Sequence, residues 1–223
     1  MTTTAAFDGT RTRDWMRRFA DSVYATEAEL TALDQQAGDG DFGTNLAAGV
    51  RAAGPPLDRT EDSAGPAEPL GVMAASFLDE IGGTSGPLFG LLFQALSRAA
   101  ADSGPQLTTA ALAEGTTQGL AAIRRVGDAA PGDKTLVDAL DPAAAALRAA
   151  GSAPAAEALA AAADAAWQGV QDTASLAARM GRASYLGERA TGVPDPGAVG
   201  IALFFASAAG AVPALGPLLR PTG

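Results

Sequence analysis

Leu33-Asp34-Gln35-Gln36-Ala37-Gly38-Asp39-Gly40-Asp41-Phe42-Gly43-Thr44-Asn45 is the stretch around which the rest of the chain is organised. Three carboxylates, Asp34, Asp39 and Asp41, fall within eight residues, and Gly38, Gly40 and Gly43 separate or follow them. Glycines there let the backbone turn tightly and take φ > 0, so the acidic side chains converge. Like charges that close repel one another, and a hard divalent cation with oxygen ligands, Mg²⁺ or Ca²⁺, is their simplest partner. A solvated Asp-Gly-Asp-Gly turn is the plain alternative. An EF-hand is excluded by register: counting from Asp39, the fifth position is Gly43, the sixth Thr44 and the twelfth Val50.

The loop joins two helices. The upstream one is expected over roughly Glu27–Gln36, with Leu30 and Leu33 on one face and Asp34 in its last turn. The downstream one opens at Thr44, whose hydroxyl suits an N-cap, and runs to about Ala53 before Gly54-Pro55-Pro56. A metal beside a helix N-terminus points to phosphate.

Composition makes the surroundings helical. Of 223 residues 48% are hydrophobic but only 5% aromatic, with long alanine runs and few β-branched residues, so close-packed helices are expected rather than a sheet. Residues 1–10 read as a disordered tail and 11–223 as a single domain. A first helix starts near Arg11 or Thr12 and carries Trp15, Met16, Phe19 and Val23. Leu57 to Pro69 reads as an exposed loop. Later helices are expected from Pro69 to Ile81, from Ser85 past Leu96, over Thr108–Val126, from Leu136 to about Ala149 with Asp133 as its cap, and over Ala155–Met180.

From Gly197 to Leu219 no residue is charged, a length that can span a bilayer. Asp195-Pro196 is a cap and first-turn pair, Pro213 and Pro217 interrupt the run, and no basic cluster precedes it, so the reading is a buried central helix. The net charge of −10 argues against nucleic acid and anionic membranes as partners. With no cysteine and no histidine, the chain offers no thiolate chemistry, no imidazole-ligated metal, no Ser-His-Asp triad and no phosphohistidine. No secretory leader is visible, and a cytoplasmic location is expected.

Three further connections carry candidate chemistry. Gly82-Gly83-Thr84-Ser85-Gly86-Pro87 ends one helix and starts another, placing bare N–H groups and two hydroxyls together as an anion nest or an ordinary turn. Gly132-Asp133-Lys134-Thr135 offers an amine that is either solvated or on a phosphate. Gly181-Arg182-Ala183-Ser184-Tyr185-Leu186-Gly187-Glu188-Arg189, leading to Gly197, reads as a surface loop or as a cover whose arginines fork a polyanion.

Together Asp34–Asn45, Gly82–Gly90, Gly132–Leu140 and Gly181–Gly197 resemble, in order and over essentially the whole chain, the L subunit of dihydroxyacetone kinase. The resemblance implies an all-α closed antiparallel bundle or barrel of about eight helices, binding ADP or ATP at one end through two Mg²⁺ ions. It implies that Asp34, Asp39 and Asp41 hold the metals, that Asn45, Thr84 and Ser85 meet the phosphates, and that Thr135 and Leu136 lie near the nucleotide. Arg182 would act on the β-phosphate, so the catalytic set is Arg182 with the three aspartates. Phe42, Thr44, Gly83, Gly132, Asp195 and Pro196 complete the implied nucleotide site.

In this family the L subunit either keeps ADP as a coenzyme recharged by a phosphohistidine carrier of the phosphotransferase system, or is fused to a K domain and uses ATP. No K domain is present here, so a separate K-type subunit holding dihydroxyacetone is the expected partner. Phe42 departs from the pattern, since many members carry His there. Two other functions stay open: a kinase subunit for another small ketose using free ATP, and a nucleotide-sensing regulator that docks a partner.

Overall fold

The computed structural model describes residues 7–79, 85–180, 184 and 190–219. Its described residues form eight helices: α1 (Gly9–Ala37), α2 (Phe42–Asp58), α3 (Ala67–Asp79), α4 (Ser85–Ser103), α5 (Thr109–Gly127), α6 (Val137–Ala149), α7 (Ala155–Thr173) and α8 (Pro196–Ala206). Each packs on its neighbour in sequence, and α8 returns to α1, so the antiparallel bundle closes on itself. Both α1 and α2 also meet α3; the connection is residues 59–66 and not the whole of Leu57–Pro69 expected as an exposed loop, because Leu57 is buried in the last turn of α2 and Pro69 in the first turn of α3.

The closure depends on α8. Every residue from Pro196 to Phe205 is buried, as a helix apolar on all sides requires. Phe204 stacks on Trp15 of α1 at 4.5 Å between ring centroids, and its carbonyl accepts a hydrogen bond from the Trp15 indole at 2.7 Å. Around this pair Phe19, Phe77, Phe89 and Phe93 extend the aromatic part of a core in which Ala, Leu and Val predominate.

Several boundaries differ from those read in the sequence. The two helices expected before the aspartate loop are one, of 29 residues. Thr26, just before the second expected helix, lies buried inside this single one, its hydroxyl donating to the Ser22 carbonyl one turn back. That helix also begins before Arg11: Asp8 caps it through the Arg11 N–H, and Phe7, expected in a disordered tail, is buried edge-on against Trp15.

Pro55 and Pro56 do not end α2, because the buried Leu57 holds its last turn against the core. Conversely, α7 stops at Thr173 rather than Met180. The apolar run after Gly197 is helical only to Ala206. Beyond it the chain lies along α1: the Arg18 guanidinium donates to the Ser207 and Ala208 carbonyls, and the Glu29 carboxylate accepts from the Leu215 and Gly216 N–H groups. No helix among the described residues is long and apolar enough to cross a membrane.

Candidate metal and phosphate site

At one end of the bundle a cavity of about 210 Å³ is bounded by the end of α1, the start of α2, the start of α4, the end of α5 with its following loop, and the start of α8. Its acidic corner is the aspartate loop. Asp34, in the last turn of α1, is buried, while Asp39 and Asp41 are exposed; one carboxylate oxygen from each lies within 4.8 Å of the others. Three converging hard oxygens are a donor set that fits Mg²⁺.

Local geometry explains the convergence. Asp34 Oδ2 accepts the Phe42 N–H at 3.0 Å, which fastens the start of α2 to the end of α1. Of the three loop glycines only Gly40 has positive φ, at 83°. Gly38 and Gly43 are required for space instead: a Cβ on Gly38 would run into the Asp34 carboxylate, and one on Gly43 into Thr31 and the Glu27 carbonyl of α1.

The expected cap is also displaced. α2 begins at Phe42, so Thr44 is inside its first turn, exposed and outside the cavity lining. Asp41 occupies the capping position without a side-chain capping bond. Phe42 lines the cavity but is 95% buried (5% exposed), its ring 6.3 Å from that of Phe89.

Asn45, Ser85, Thr135, Leu136, Asp195 and Pro196 all line the same cavity. Ser85 is the first residue of α4. Gly132 has φ 95° in the loop that shapes the opposite wall but does not itself line the cavity. Gly83, Thr84 and Arg182 lie outside the described residues.

That wall is organised by a residue the sequence reading passed over. Asp138 accepts the N–H groups of Gly132 and Thr135, while the Thr135 hydroxyl accepts the Val137 N–H. Thr135-Leu136-Val137-Asp138 is a capping box, and the pattern of Thr followed three positions later by Asp was the available signal. Asp133, expected as the cap, instead accepts the Ala130 N–H and pairs with Arg179. Lys134 is not solvated: it is 1% exposed and borders the cavity, and its ammonium donates to the Thr173 and Val193 carbonyls. Leu88, Ile123, Ala129 and Met180 add an apolar side, suited to a planar base.

A family model described as the DAK2 domain matches residues 36–210. The chain belongs to the DAK2-domain family. It is 39% identical over 178 residues to the L-erythrulose 1-kinase of Mycolicibacterium smegmatis, covering 79% of this chain and 31% of that kinase. It is 34% identical over 194 residues to the PEP-dependent dihydroxyacetone kinase 1, ADP-binding subunit DhaL, of Listeria innocua, covering 86% of this chain and 90% of that subunit. Among solved structures, the dihydroxyacetone kinase from C. freundii in complex with AMP-PNP and Mg²⁺ superposes with a TM-score of 0.65 at 27% identity, covering 93% of this chain and 35% of that one. The chain thus spans about a third of the length of the erythrulose kinases it matches.

In this DAK2 domain Asp195 carries the clearest electrostatic signature. Its carboxylate caps α8 by accepting the Ala198 N–H at 2.7 Å, and its own N–H donates to the Thr173 hydroxyl. Enclosure by protein pushes its pKa up to about 7; the Ala198 N–H and Lys134 pull it back, while Asp138 and Asp34 push it further up. Between the ordinary carboxylate range and about pH 7 the folded state therefore holds a proton that the unfolded chain has released. Stability of the metal-free protein should fall as pH rises through that window and level off above it. Asp195→Asn keeps a capping oxygen and removes the titration. Urea denaturation in EDTA at pH 5 and pH 8 should show wild type losing roughly 2–3 kcal/mol relative to the variant. Parallel losses in both proteins would rule the assignment out.

Proposed function

We propose that this chain is the nucleotide-binding part of a small-ketose kinase. It holds ADP or ATP with two Mg²⁺ ions and passes a phosphoryl group to dihydroxyacetone held on a separate K-type subunit. The observation that carries the reading is the meeting of Asp34, Asp39 and Asp41 with Asn45, Ser85, Thr135 and Leu136 around one cavity. These residues come from three separate helix connections. Residues 11–223 act as one unit in this reading, with cytoplasmic location as its companion.

In this arrangement the three aspartates hold the metal ions. Bound Mg²⁺ supplies charge neutralisation on the phosphates, which is most of what phosphoryl transfer asks of a protein. Asn45 and the Ser85 hydroxyl, with Thr84, orient phosphate oxygens, and Arg182 answers charge on the β-phosphate. Leu88, Ile123, Leu136 and Met180 exclude water from the base side. No imidazole or thiolate is present in the chain to carry a phosphoryl group, so its own side chains serve to bind and orient.

Two donor arrangements fit. The resemblance to a PEP-dependent kinase's ADP-binding subunit supports resident ADP and a phosphohistidine carrier. The 39% identity to an L-erythrulose 1-kinase supports free ATP and a four-carbon ketose. Native mass spectrometry of the purified chain tests the common core: a mass increment for nucleotide plus two magnesium ions is expected with ADP added, and Asp41→Asn should lose it. Nucleotide retention that is indifferent to Mg²⁺ and to Asp41→Asn would remove the metal assignment. Resident ADP after purification would favour the carrier arrangement.

A further inference from the structure

Lys134 is the chain's only lysine, and two unfavourable features coincide on it. Its backbone is left-handed, with φ 63°, a conformation that costs a non-glycine residue about 1 kcal/mol or more. Its ammonium is almost wholly enclosed, where losing water disfavours the charge and lowers the pKa; nearby Asp195 and Asp138 oppose that effect. The return on both is a bridge: Nζ donates to the Thr173 carbonyl at the end of α7 and to the Val193 carbonyl, each at 2.6 Å.

The bridge joins two walls of the cavity. Lys134 sits beside Thr135 and Leu136 on one wall, and Val193 lies two residues before Asp195 and the start of α8 on another. The same segment is fastened to the end of α7 by the Gly192 N–H on the Ala174 carbonyl at 2.7 Å and the Asp195 N–H on the Thr173 hydroxyl at 2.9 Å. Without the ammonium, two carbonyls lose a charged donor, and among the described residues the hydrogen bonds left between the 190–196 segment and the end of α7 are those two neutral ties.

We propose that Lys134 is a positioning residue for the nucleotide: by clamping segment 190–195 to α7 it fixes the Asp195–Pro196 wall against the Thr135–Leu136 wall and slows nucleotide release. The proposal rests on the functional reading given above. It assigns Lys134 no contact with phosphate or metal. Coupling between sites is reciprocal, so if the clamp favours bound nucleotide, bound nucleotide must favour the clamp by the same factor.

Because the chain has one ε-amine, that reciprocity is measurable on the wild-type protein. Acylation of Lys134 by an amine-reactive ester, followed by peptide mass spectrometry, reports how often the clamp opens. Addition of Mg²⁺ and ADP should slow it by about tenfold or more, with the terminal α-amine as internal reference. Lys134→Met, which carries the same backbone strain, should speed release of a fluorescent ADP analogue by a similar factor. Tb³⁺ binding at the aspartates should stay within about twofold. If ADP and Mg²⁺ bind while Lys134 acylation is unchanged, the proposal fails and the functional reading stands; if no nucleotide binds at all, the functional reading fails and takes the proposal with it. Should Lys134→Met not fold, Thr173→Val removes a parallel tie and is expected to speed release in the same direction; unchanged release would count against the clamp.

Discussion

Gly43→Ala is expected to destabilise the protein by roughly 3 kcal/mol and to disable the aspartate loop, although it adds one methyl group that points at α1. Gly43 is the second residue of α2 and packs directly against α1. A Cβ there would press on the Thr31 backbone nitrogen at 2.8 Å as well as on the Thr31 side chain and the Glu27 carbonyl. Backbone cannot rotate aside, so the helices must separate, and the Phe42 N–H is drawn off Asp34. Gly54→Ala in the same helix is the comparison: no atom outside its chain neighbours lies within 4 Å of its Cβ, but Pro55 follows it and disfavours a helical residue that carries a Cβ, which offsets the gain in helix propensity, so its stability should change by less than about 1 kcal/mol. Denaturant titrations of both, with Tb³⁺ luminescence on Gly43→Ala, check the pair. A Gly43→Ala protein of wild-type stability with intact ion binding would show that α2 has freedom this packing denies it.

The same residue marks what sequence could and could not disclose. That glycines were needed in the loop was legible; their reasons were not. Gly40 is conformational, whereas Gly38 and Gly43 make room for a neighbouring carboxylate and a neighbouring helix, and such space is visible only once α1 and α2 are placed. Capping chemistry behaved similarly. Asp195-Pro196 was read correctly because cap and first-turn proline are adjacent in sequence and the helix behind them is apolar on every face. At Thr44 and Asp133 the residue type was right but another contact prevailed: Asp34 reaches across the loop to start α2 two residues early, and Asp138 closes its own box over Thr135.

Lys134 is the plainest case. A lone loop lysine is ordinarily solvated, and nothing local announces that two carbonyls 39 and 59 residues away will enclose it. Phe42, standing where many members of the family carry His, lines the cavity and also packs in the core: its ring faces Phe89, and a Cβ on Gly200 of α8 would strike both rings. Its backbone N–H, which any residue would supply, is the part that serves the site.

Asp34→Asn should separate the metal role of the loop from its structural role. Asp34 does two things at once, offering one oxygen to the carboxylate cluster and one to the Phe42 N–H. An asparagine keeps an acceptor for that N–H, so the α1–α2 junction survives. In metal-free solution it also removes one of three converging like charges, and stability should hold or rise by up to about 1 kcal/mol. With Mg²⁺ and ADP the order reverses. Wild type at a hundredfold excess over its dissociation constant gains roughly 2.7 kcal/mol from binding, while the variant, its affinity down by about a hundredfold, gains less than about 0.5 kcal/mol. Asp34→Ala differs again, since it leaves the Phe42 N–H unpaired and should lose about 1–3 kcal/mol even without metal. Thermal and urea unfolding of the three proteins, with and without Mg²⁺ and ADP, give six stabilities in which this crossing is either present or absent. An Asp34→Asn protein that keeps the full ligand-induced gain would move the metal away from α1 altogether, leaving Asp39 and Asp41 as the only loop carboxylates able to hold it.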